Sequence, residues 1–384
     1  MTTVKDNKRG CSGCTACAAA CPVGAITMCP DREGFLYPHI DTARCTDCGL
    51  CKKVCVFDEH YIKSEPRVTQ TAYAAQILDG EVQKKSRSGG AFVALANTVF
   101  KMGGVVYGTA LDENLKAVVA RIDAPAEISR LQGSKYVQSE KGDAFSRIRA
   151  DLQQGTPVFF SGTACEVAGL LSYLAATHTD TAKLYTADLV CHSVPSPLIW
   201  EENITELTRR YGKIDAASFR DKSFGWHSHI ETYRVGNRVI HKNLFSSLFY
   251  LHVISRPSCA VCPFTNMERC ADITLADFWG VSAYGFDIST ENGVSLIFIN
   301  TKKGEALREG AADSLRLLKA EGREFVHPNL KHPTKESDSR AAFWAYYHAN
   351  GYQKTARRYY RSIDRARLTY NILKRKLKQR GREK

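Results

Sequence analysis

Cys11-Ser12-Gly13-Cys14-Thr15-Ala16-Cys17-Ala18-Ala19-Ala20-Cys21-Pro22 and Cys45-Thr46-Asp47-Cys48-Gly49-Leu50-Cys51-Lys52-Lys53-Val54-Cys55 carry two copies of one spacing, C-x2-C-x2-C-x3-C. Eight thiols this close along a chain have no sensible pairing as disulfides, but they can wrap cubanes of iron and sulfide. In such runs the C-x2-C-x2-C arc supplies three thiolates to one cluster, and the fourth cysteine crosses to the other. The expected ligand sets are Cys11, Cys14, Cys17 and Cys55 for one 4Fe–4S centre, and Cys45, Cys48, Cys51 and Cys21 for its neighbour. Structural zinc competes as a reading, but it usually draws on two separated C-x2-C pairs rather than two complete runs. Cys29 falls between the runs, outside the pattern, and reads as a spare thiol.

Outward from these runs, the chain is long enough for two or three domains, and its 44% hydrophobic and 24% charged residues are ordinary for a globular protein. Met1 to Gly10 is polar and charged, so no export signal is expected, and no apolar run long enough to span a membrane occurs. A reducing, cytoplasmic setting suits the thiols. The net charge of +13 suggests nucleic acid until it is located. From Tyr352 to Lys384 thirteen Lys or Arg stand against two acids, which leaves only +2 for the rest. The basicity belongs to a tail, no nucleic-acid reader motif is present, and no nucleic-acid partner is expected.

Beyond residue 60 the texture changes at Glu65-Pro66. Thr71 to Leu78 reads as a strand, and Ala91 to Phe100 as a buried helix with apolar residues on all sides. Gly103 to Gly108 turns into a strand whose hairpin partner is Ala117 to Ile122. Pro157 to Phe160 is a strand, Ser161-Gly162-Thr163 a turn, Ala164 to Ala176 a helix and Lys183 to Val190 a strand. A strand–helix–strand unit implies parallel neighbours. Asn203 to Tyr211 reads as helix, Ile230 to Ile240 as antiparallel strands, and 273–277 and 294–300 as further strands.

Cys165 sits in the first turn of one helix and Cys191 at the end of the next strand, so both fall on the sheet edge where ligands bind. Cys259 and Cys262 add a paired arm, and Cys270 can substitute for one of the four. These sulfurs suit a third 4Fe–4S cluster; buried apolar cysteines, a zinc site or a redox dithiol remain alternatives. Ser86, Ser88, Gly89 and Gly90 precede the buried helix and offer free N–H groups to a phosphate. Ser134, Lys135 and Tyr136 add a cation and an aromatic face, and Gly162 with Thr163 forms a second helix start. Three such seats beside a cysteine constellation suggest FAD, whose flavin converts single electrons into pairs. Lys135 and His192 are the candidates for proton transfer.

The amino-terminal segment resembles a bacterial two-cluster ferredoxin, including the Cys21-Pro22 step, although Val56 follows the last cysteine. To about residue 325 the whole chain resembles the family of coenzyme F420 hydrogenase and dehydrogenase beta subunits. That resemblance rests on Ser86-Arg87-Ser88-Gly89-Gly90, Gly133-Ser134-Lys135-Tyr136, the stretch from Gly162 to Leu170, Val190 to Ser196, and Asp272 to Gly280. It implies FAD at the first two motifs and an internal cluster on Cys165, Cys191, Cys259 and Cys262. Ala164-Cys165-Glu166 departs from the family's Pro-Cys-Gln and brings a charge beside the cluster.

The expected fold class is α+β. A ferredoxin-like domain (1–62) precedes a mixed α/β flavin- and cluster-binding domain (63–330) and a basic helical tail (331–384). The leading functional expectation is a flavin-dependent iron–sulfur oxidoreductase serving a small-molecule substrate, coenzyme F420-like or otherwise. The alternative is an electron-transfer subunit docked to a catalytic partner, with a ferredoxin or other redox protein at the clusters. In the tail, Ala366, Tyr370, Leu373 and Leu377 keep helical spacing among Arg365, Lys374, Arg375, Lys376 and Lys378, a pattern suited to an acidic partner or an anionic membrane surface.

Overall fold

In the computed structural model, which describes residues 8–59, 61 and 70–380, the two cysteine runs adopt the same backbone. Gly13 and Thr15 in the first run, and Asp47 and Gly49 at the equivalent places in the second, all have positive φ. These left-handed steps, costly for Thr15 and Asp47, turn the chain around each arc before a short helix begins. The helices are α1 (Ala16–Ala20) and α2 (Leu50–Lys53), and between them β1 (Ile26–Pro30) pairs antiparallel with β2 (Leu36–Ile40). The expected junction at Glu65-Pro66 lies outside the described residues.

The body is built on an eight-stranded mixed sheet. Its first strands are β3 (Thr71–Ile77), β4 (Val105–Leu111), β5 (Ala117–Ile122), β6 (Val158–Thr163) and β7 (Leu184–Leu189). Between them run α3 (Gly80–Lys85), α4 (Ala91–Lys101), α5 (Ala144–Gln153) and α6 (Ala164–Ala176). After α7 (Pro197–Tyr211) a separate antiparallel sheet forms from β8 (Ala216–Ser218), β9 (Glu231–Val235) and β10 (Arg238–Lys242), followed by α8 (Leu244–Tyr250). The main sheet then gains β11 (Ile273–Asp277), β12 (Ser295–Ile299) and, after α9 (Lys302–Gly310), β13 (Leu315–Lys319). Helices α10 (Arg340–Tyr359) and α11 (Ser362–Arg380) end the described chain.

Strand order is β13-β3-β12-β11-β7-β6-β4-β5, with β11, β7, β6 and β4 mutually parallel and the flanking strands antiparallel. The β6–α6–β7 unit therefore forms as the sequence implies. Ser161-Gly162-Thr163, expected as a turn, instead completes β6, because Gly162 and Thr163 stay in register with Asp188 and Leu189 of β7. Helix α7 begins six residues before the expected Asn203, where Ser196 caps Pro197 at the first turn.

Alternation along the strands divides the core into two layers. Val106 and Phe159 face α4 and α9, while Val105, Tyr107, Val158 and Phe160 face α5, α6 and α1. Val93, Leu95 and Val99 of α4 are buried on the first face, each worth about 1.5–3 kcal/mol. The amino-terminal module thus shares its core with the body: Ala16, Ala20 and Val54 pack with Val167, Leu170 and Leu174 of α6. A third cluster joins α7, α8 and β9 to Phe343, Trp344 and Tyr347 of α10.

Candidate functional site

None of the fourteen cysteines is paired in a disulfide. In the first set, Cys17 is buried and raised well above the ordinary thiol range by burial, with Cys14, Cys11 and Cys55 pressing in the same direction. Burial likewise raises Cys14, and lifts Cys55 to about 11. Cys11, Cys14, Cys17 and Cys55 thus lie close enough to feel one another's charge. Cys21, Cys45, Cys48 and Cys51 line a second small cavity closed by Pro22, Ile26, Ile40 and Leu50. Backbone N–H groups of Gly13, Ala25 and Asp47 donate to the sulfurs of Cys11, Cys21 and Cys45 at 3.4, 3.2 and 3.4 Å.

Arg256 provides an independent test of whether these thiols suit an anionic cluster. It is 2% exposed, yet its partners are neutral oxygens and a sulfur rather than a carboxylate. Its Nε donates to Cys11 O at 2.8 Å, Nη2 to Leu36 O at 3.0 Å, and Nη2 lies 3.6 Å from Cys11 Sγ. Its guanidinium also stands over the rings of Tyr37 and Phe35 at 4.2 and 5.4 Å. A buried guanidinium without a counter-charge is expensive. Four thiolates holding iron and sulfide are the counter-charge this position lacks, so the residues fit the group.

Cys165, Cys191, Cys259 and Cys262 come from three separate segments and also lie close enough to feel one another's charge. Burial raises Cys165 and Cys191, with Cys262 adding to both; Cys259, pushed up by burial to about 12, feels Cys262 as well. Among the described residues no three His, Cys, Asp or Glu side chains close on a single point. Cys270 lies beside the set, its thiol 3.6 Å from Ala164 O, and packs with Cys14, Cys165, Cys262 and Phe264. The two sulfur sets are joined through α6. A Cβ at Gly169 would lie 2.8 Å from Cys14 Sγ, and Cys165 is one helical turn back on the same face. Glu166, the departure from the family motif, is neutralised in place. It forms a capping box with Thr163 and pairs with buried Lys141 at 2.7 Å. Burial pushes its carboxyl up, but Lys141 and Thr163 hold it below the usual range.

Above the carboxyl ends of β6, β7 and β11 opens a large cavity, the place where parallel sheets hold ligands. Ser86, Ser88, Gly90, Ser134, Lys135, Tyr136, Gly162 and Thr163 line it, together with Cys191 and His192. Gly89 does not: a Cβ there would lie 2.1 Å from Ala75 O, so it seats the loop on β3. Gly90 has φ 89 and starts α4, whose first residues, Ala91 to Val93, line the cavity without a side-chain cap. Lys135, pushed down by burial to about 7, donates to the carbonyls of Arg130 and Gln132. His192 is held below the ordinary histidine value by burial and then by Arg220.

Sequence reasoning missed a cation–carboxylate–indole group in the same wall. Asp277 lies 3.0 Å from Arg220 Nη1 and 3.7 Å from Arg87 Nη2, and accepts from Trp226 Nε1 at 3.0 Å. Burial raises its carboxyl, but Arg87 and Arg220 hold it below the usual range. Trp226 stacks on Trp279 at 4.7 Å. The Arg87 side chain is 9% exposed, and its Nε and Nη1 have no hydrogen-bond partner in the protein. Buried donors of this kind suit a phosphate, and the start of α4 suits it too, whereas the start of α6 is already capped by Glu166. Arg87 and α4 therefore fit the phosphate portion of a dinucleotide. Arg87, Asp277 and Trp279 stood within motifs already singled out, but Arg220 and Trp226 had no local signal.

Comparison with known proteins agrees with this geometry. Residues 155–322 match the carboxyl-terminal region of the coenzyme F420 hydrogenase/dehydrogenase beta subunit, and residues 10–58 match the 4Fe-4S dicluster domain. The chain is 24% identical over 135 residues to the F subunit of the F420H2 dehydrogenase of Methanosarcina mazei, a stretch covering 33% of this chain and 38% of that protein. It is 39% identical over 59 residues to the methylamine utilization ferredoxin-type protein MauM of Methylobacillus flagellatus, covering 14% and 25%. The chain therefore spans well under half the length of either curated relative. A chain from the F420-reducing NiFe hydrogenase complex of Methanosarcina barkeri aligns with a TM-score of 0.45 at 17% identity, over 77% of this chain and 94% of that one. Over residues 155–322 the chain is thus similar to the coenzyme F420 hydrogenase/dehydrogenase beta subunits, and over residues 10–58, which hold both cysteine runs, to 4Fe-4S dicluster domains.

Proposed function

We propose that the protein is an iron–sulfur flavoprotein oxidoreductase that relays electrons between its amino-terminal clusters and FAD, and exchanges them with a coenzyme F420-like or other organic substrate. The observation that carries this reading is the contact through α6. Cys14 of the first thiol set rests on Gly169, Cys165 of the internal set lies one turn back, and Cys191 of that set lines the large cavity. Cys11, Cys14, Cys17 and Cys55 would hold one cluster, Cys21, Cys45, Cys48 and Cys51 a second, and Cys165, Cys191, Cys259 and Cys262 a third. When bound, clusters pass single electrons and a flavin exchanges them in pairs. Ser88 and Gly90 would orient the dinucleotide at the start of α4. Lys135, with its depressed basicity, is the group suited to moving a proton at the cavity wall.

A redox partner protein would meet the second set, because Cys48 is exposed. The alternative, a subunit without its own substrate, draws support from α11. Ile363, Tyr370, Leu373 and Leu377 are 57%, 62%, 56% and 68% exposed and form an outward apolar stripe among basic residues, suited to a catalytic partner or an anionic membrane surface. Among the described residues no helix is long and apolar enough to cross a membrane.

Anaerobically purified protein is expected to contain flavin and about twelve irons, four per cubane. Its flavin should bleach on adding a small donor such as reduced coenzyme F420 or NADPH. Bleaching only after a partner protein is added would select the subunit reading. Replacing Cys262 with Ser should remove about four irons; unchanged iron would refute the internal ligand set.

A further inference from the structure

Beside the large cavity, and sharing Ser86, Arg87, Lys135 and Arg220 with it, lies a second, wider cleft. Its outer wall is α11, which contributes Asn371, Lys374 and Arg375. That helix is docked, not trailing. Asp364 is 3% exposed, and its carbonyl accepts from Asn243 Nδ2 at 2.9 Å. Arg375 lies over the ring of Phe224 at 4.8 Å, and its Nη1 is 3.0 Å from His241 Nε2. Two of the thirteen basic residues that composition assigned to a tail, Lys374 and Arg375, therefore line a concave surface.

Lys84, Lys85, Arg87, Lys135, Arg220, Lys222, Lys374 and Arg375 face this cleft with two carboxylates, Asp221 and Glu291. Arg87 and Arg220 share Asp277, Lys84 pairs with Glu81, and burial lowers Lys135 and Lys222 to about 7. That leaves Lys85, Lys374 and Arg375 as the cleft's cations with no carboxylate partner among the described residues. Asp221 is already engaged, accepting from Ser223 N at 2.8 Å and Thr232 Oγ1 at 2.6 Å. Lys222 Nζ donates to the carbonyls of Gln83 and Ser88 at 2.6 and 2.7 Å, which ties the floor of the cleft to the Ser88 turn. Like charges gathered on a concave wall repel one another, and an anion seated among them removes that cost.

We propose that α11 completes a second binding site, a basic cleft that takes the polyanionic portion, phosphate or clustered carboxylate, of a small organic ligand whose other end reaches the large cavity. The two spaces adjoin at Ser86, Arg87, Lys135 and Arg220, close enough for one small extended molecule to engage both. This inference rests on the cleft itself and does not require that the large cavity hold flavin.

The test titrates the full-length, anaerobically purified protein at low salt with tripolyphosphate and, separately, with citrate, reading Trp226 fluorescence and calorimetric heat. Saturable binding of at least one is expected, and the stronger of the two identifies the ligand's charged group. Lys374→Ala together with Arg375→Ala should weaken it by about tenfold, the loss of two solvent-screened cations. Lys374→Ala alone touches an exposed side chain, spares the Phe224 packing and should weaken binding by about threefold. Affinity unchanged in both variants overturns the proposal. Loss of flavin in step with anion affinity would also overturn it, because those cations would then belong to the dinucleotide. Binding of a long acidic peptide but of neither small anion would make the cleft a protein-docking surface instead. Protein that carries no flavin yet binds tripolyphosphate through α11 would sink the flavin reading and sustain this one.

Discussion

Replacing Arg256 with Met tests whether an anionic cluster stands at Cys11. The guanidinium lies 3.6 Å from Cys11 Sγ and is shielded from water at 2% exposure. A unit charge at that distance interacts by roughly 4.6 kcal/mol at an effective dielectric of about 20. An added electron is shared over the corners of a cubane. Assigning about a quarter of it to the Cys11 corner gives roughly 1.2 kcal/mol, or about 50 mV at 2.3 kcal/mol per 100 mV. The remaining corners add smaller amounts of the same sign. Removing the positive charge should therefore lower one midpoint potential by about 50–100 mV. The assay is an anaerobic redox titration followed by electron paramagnetic resonance, with iron content measured on the same sample. One reduced-cluster component should move and the others stay. Arg256→Lys keeps the charge, loses the forked contacts to Leu36 O and Gln138, and should shift the same component by less than half as much. Full iron content with no component displaced in the Met variant would refute the counter-charge argument.

Gly169→Ala places a methyl 2.8 Å from Cys14 Sγ, so α6 and the first run must part; a loss of about 1–3 kcal/mol, with iron released, is expected in an anaerobic thermal melt. An unchanged melt would mean that the seam has room for the methyl. Lys141→Met strands Glu166 in the interior and should cost about 3–5 kcal/mol, while adding Glu166→Gln should restore much of it. Additive losses in denaturant titrations would show the two side chains to be uncoupled. Lys222 is pushed down to about 7 by burial and then by Arg87, with Asp277 opposing. Its charge is present below that value and lost above it, as is that of Lys135 in the same cleft. Tripolyphosphate should therefore bind more tightly at pH 6 than at pH 8, and Lys222→Met should reduce the difference while Lys135 keeps the rest. An equal pH slope in the variant would remove Lys222 from the cleft.

The cysteine runs were legible because ligand spacing is a local property, and both arcs repeat it down to the left-handed steps at Gly13, Thr15, Asp47 and Gly49. The β6–α6–β7 unit was equally legible, since Phe159 and Phe160 alternate between two cores and Thr163 opens the helix. Cys165 and Cys191 could be placed on one edge for that reason alone. The charged half of the site could not be read this way. Arg256 reaches Cys11 across 245 residues, and Arg220 reaches Asp277 across 57, with no periodicity to announce either. The tail misled differently: counting charge located the basic residues along the chain, but not the buried Asp364 and the Phe224 turn that fold them back onto the body.

Gly169 has a consequence for how traffic crosses the molecule. With no side chain between α6 and Cys14, and with Ala16, Ala20 and Val54 in one core with α6, the amino-terminal module is packed flush against the body. Delivery along a fixed join depends on spacing alone, so solvent viscosity should leave its rate untouched, whereas a single added methyl at the seam should slow it.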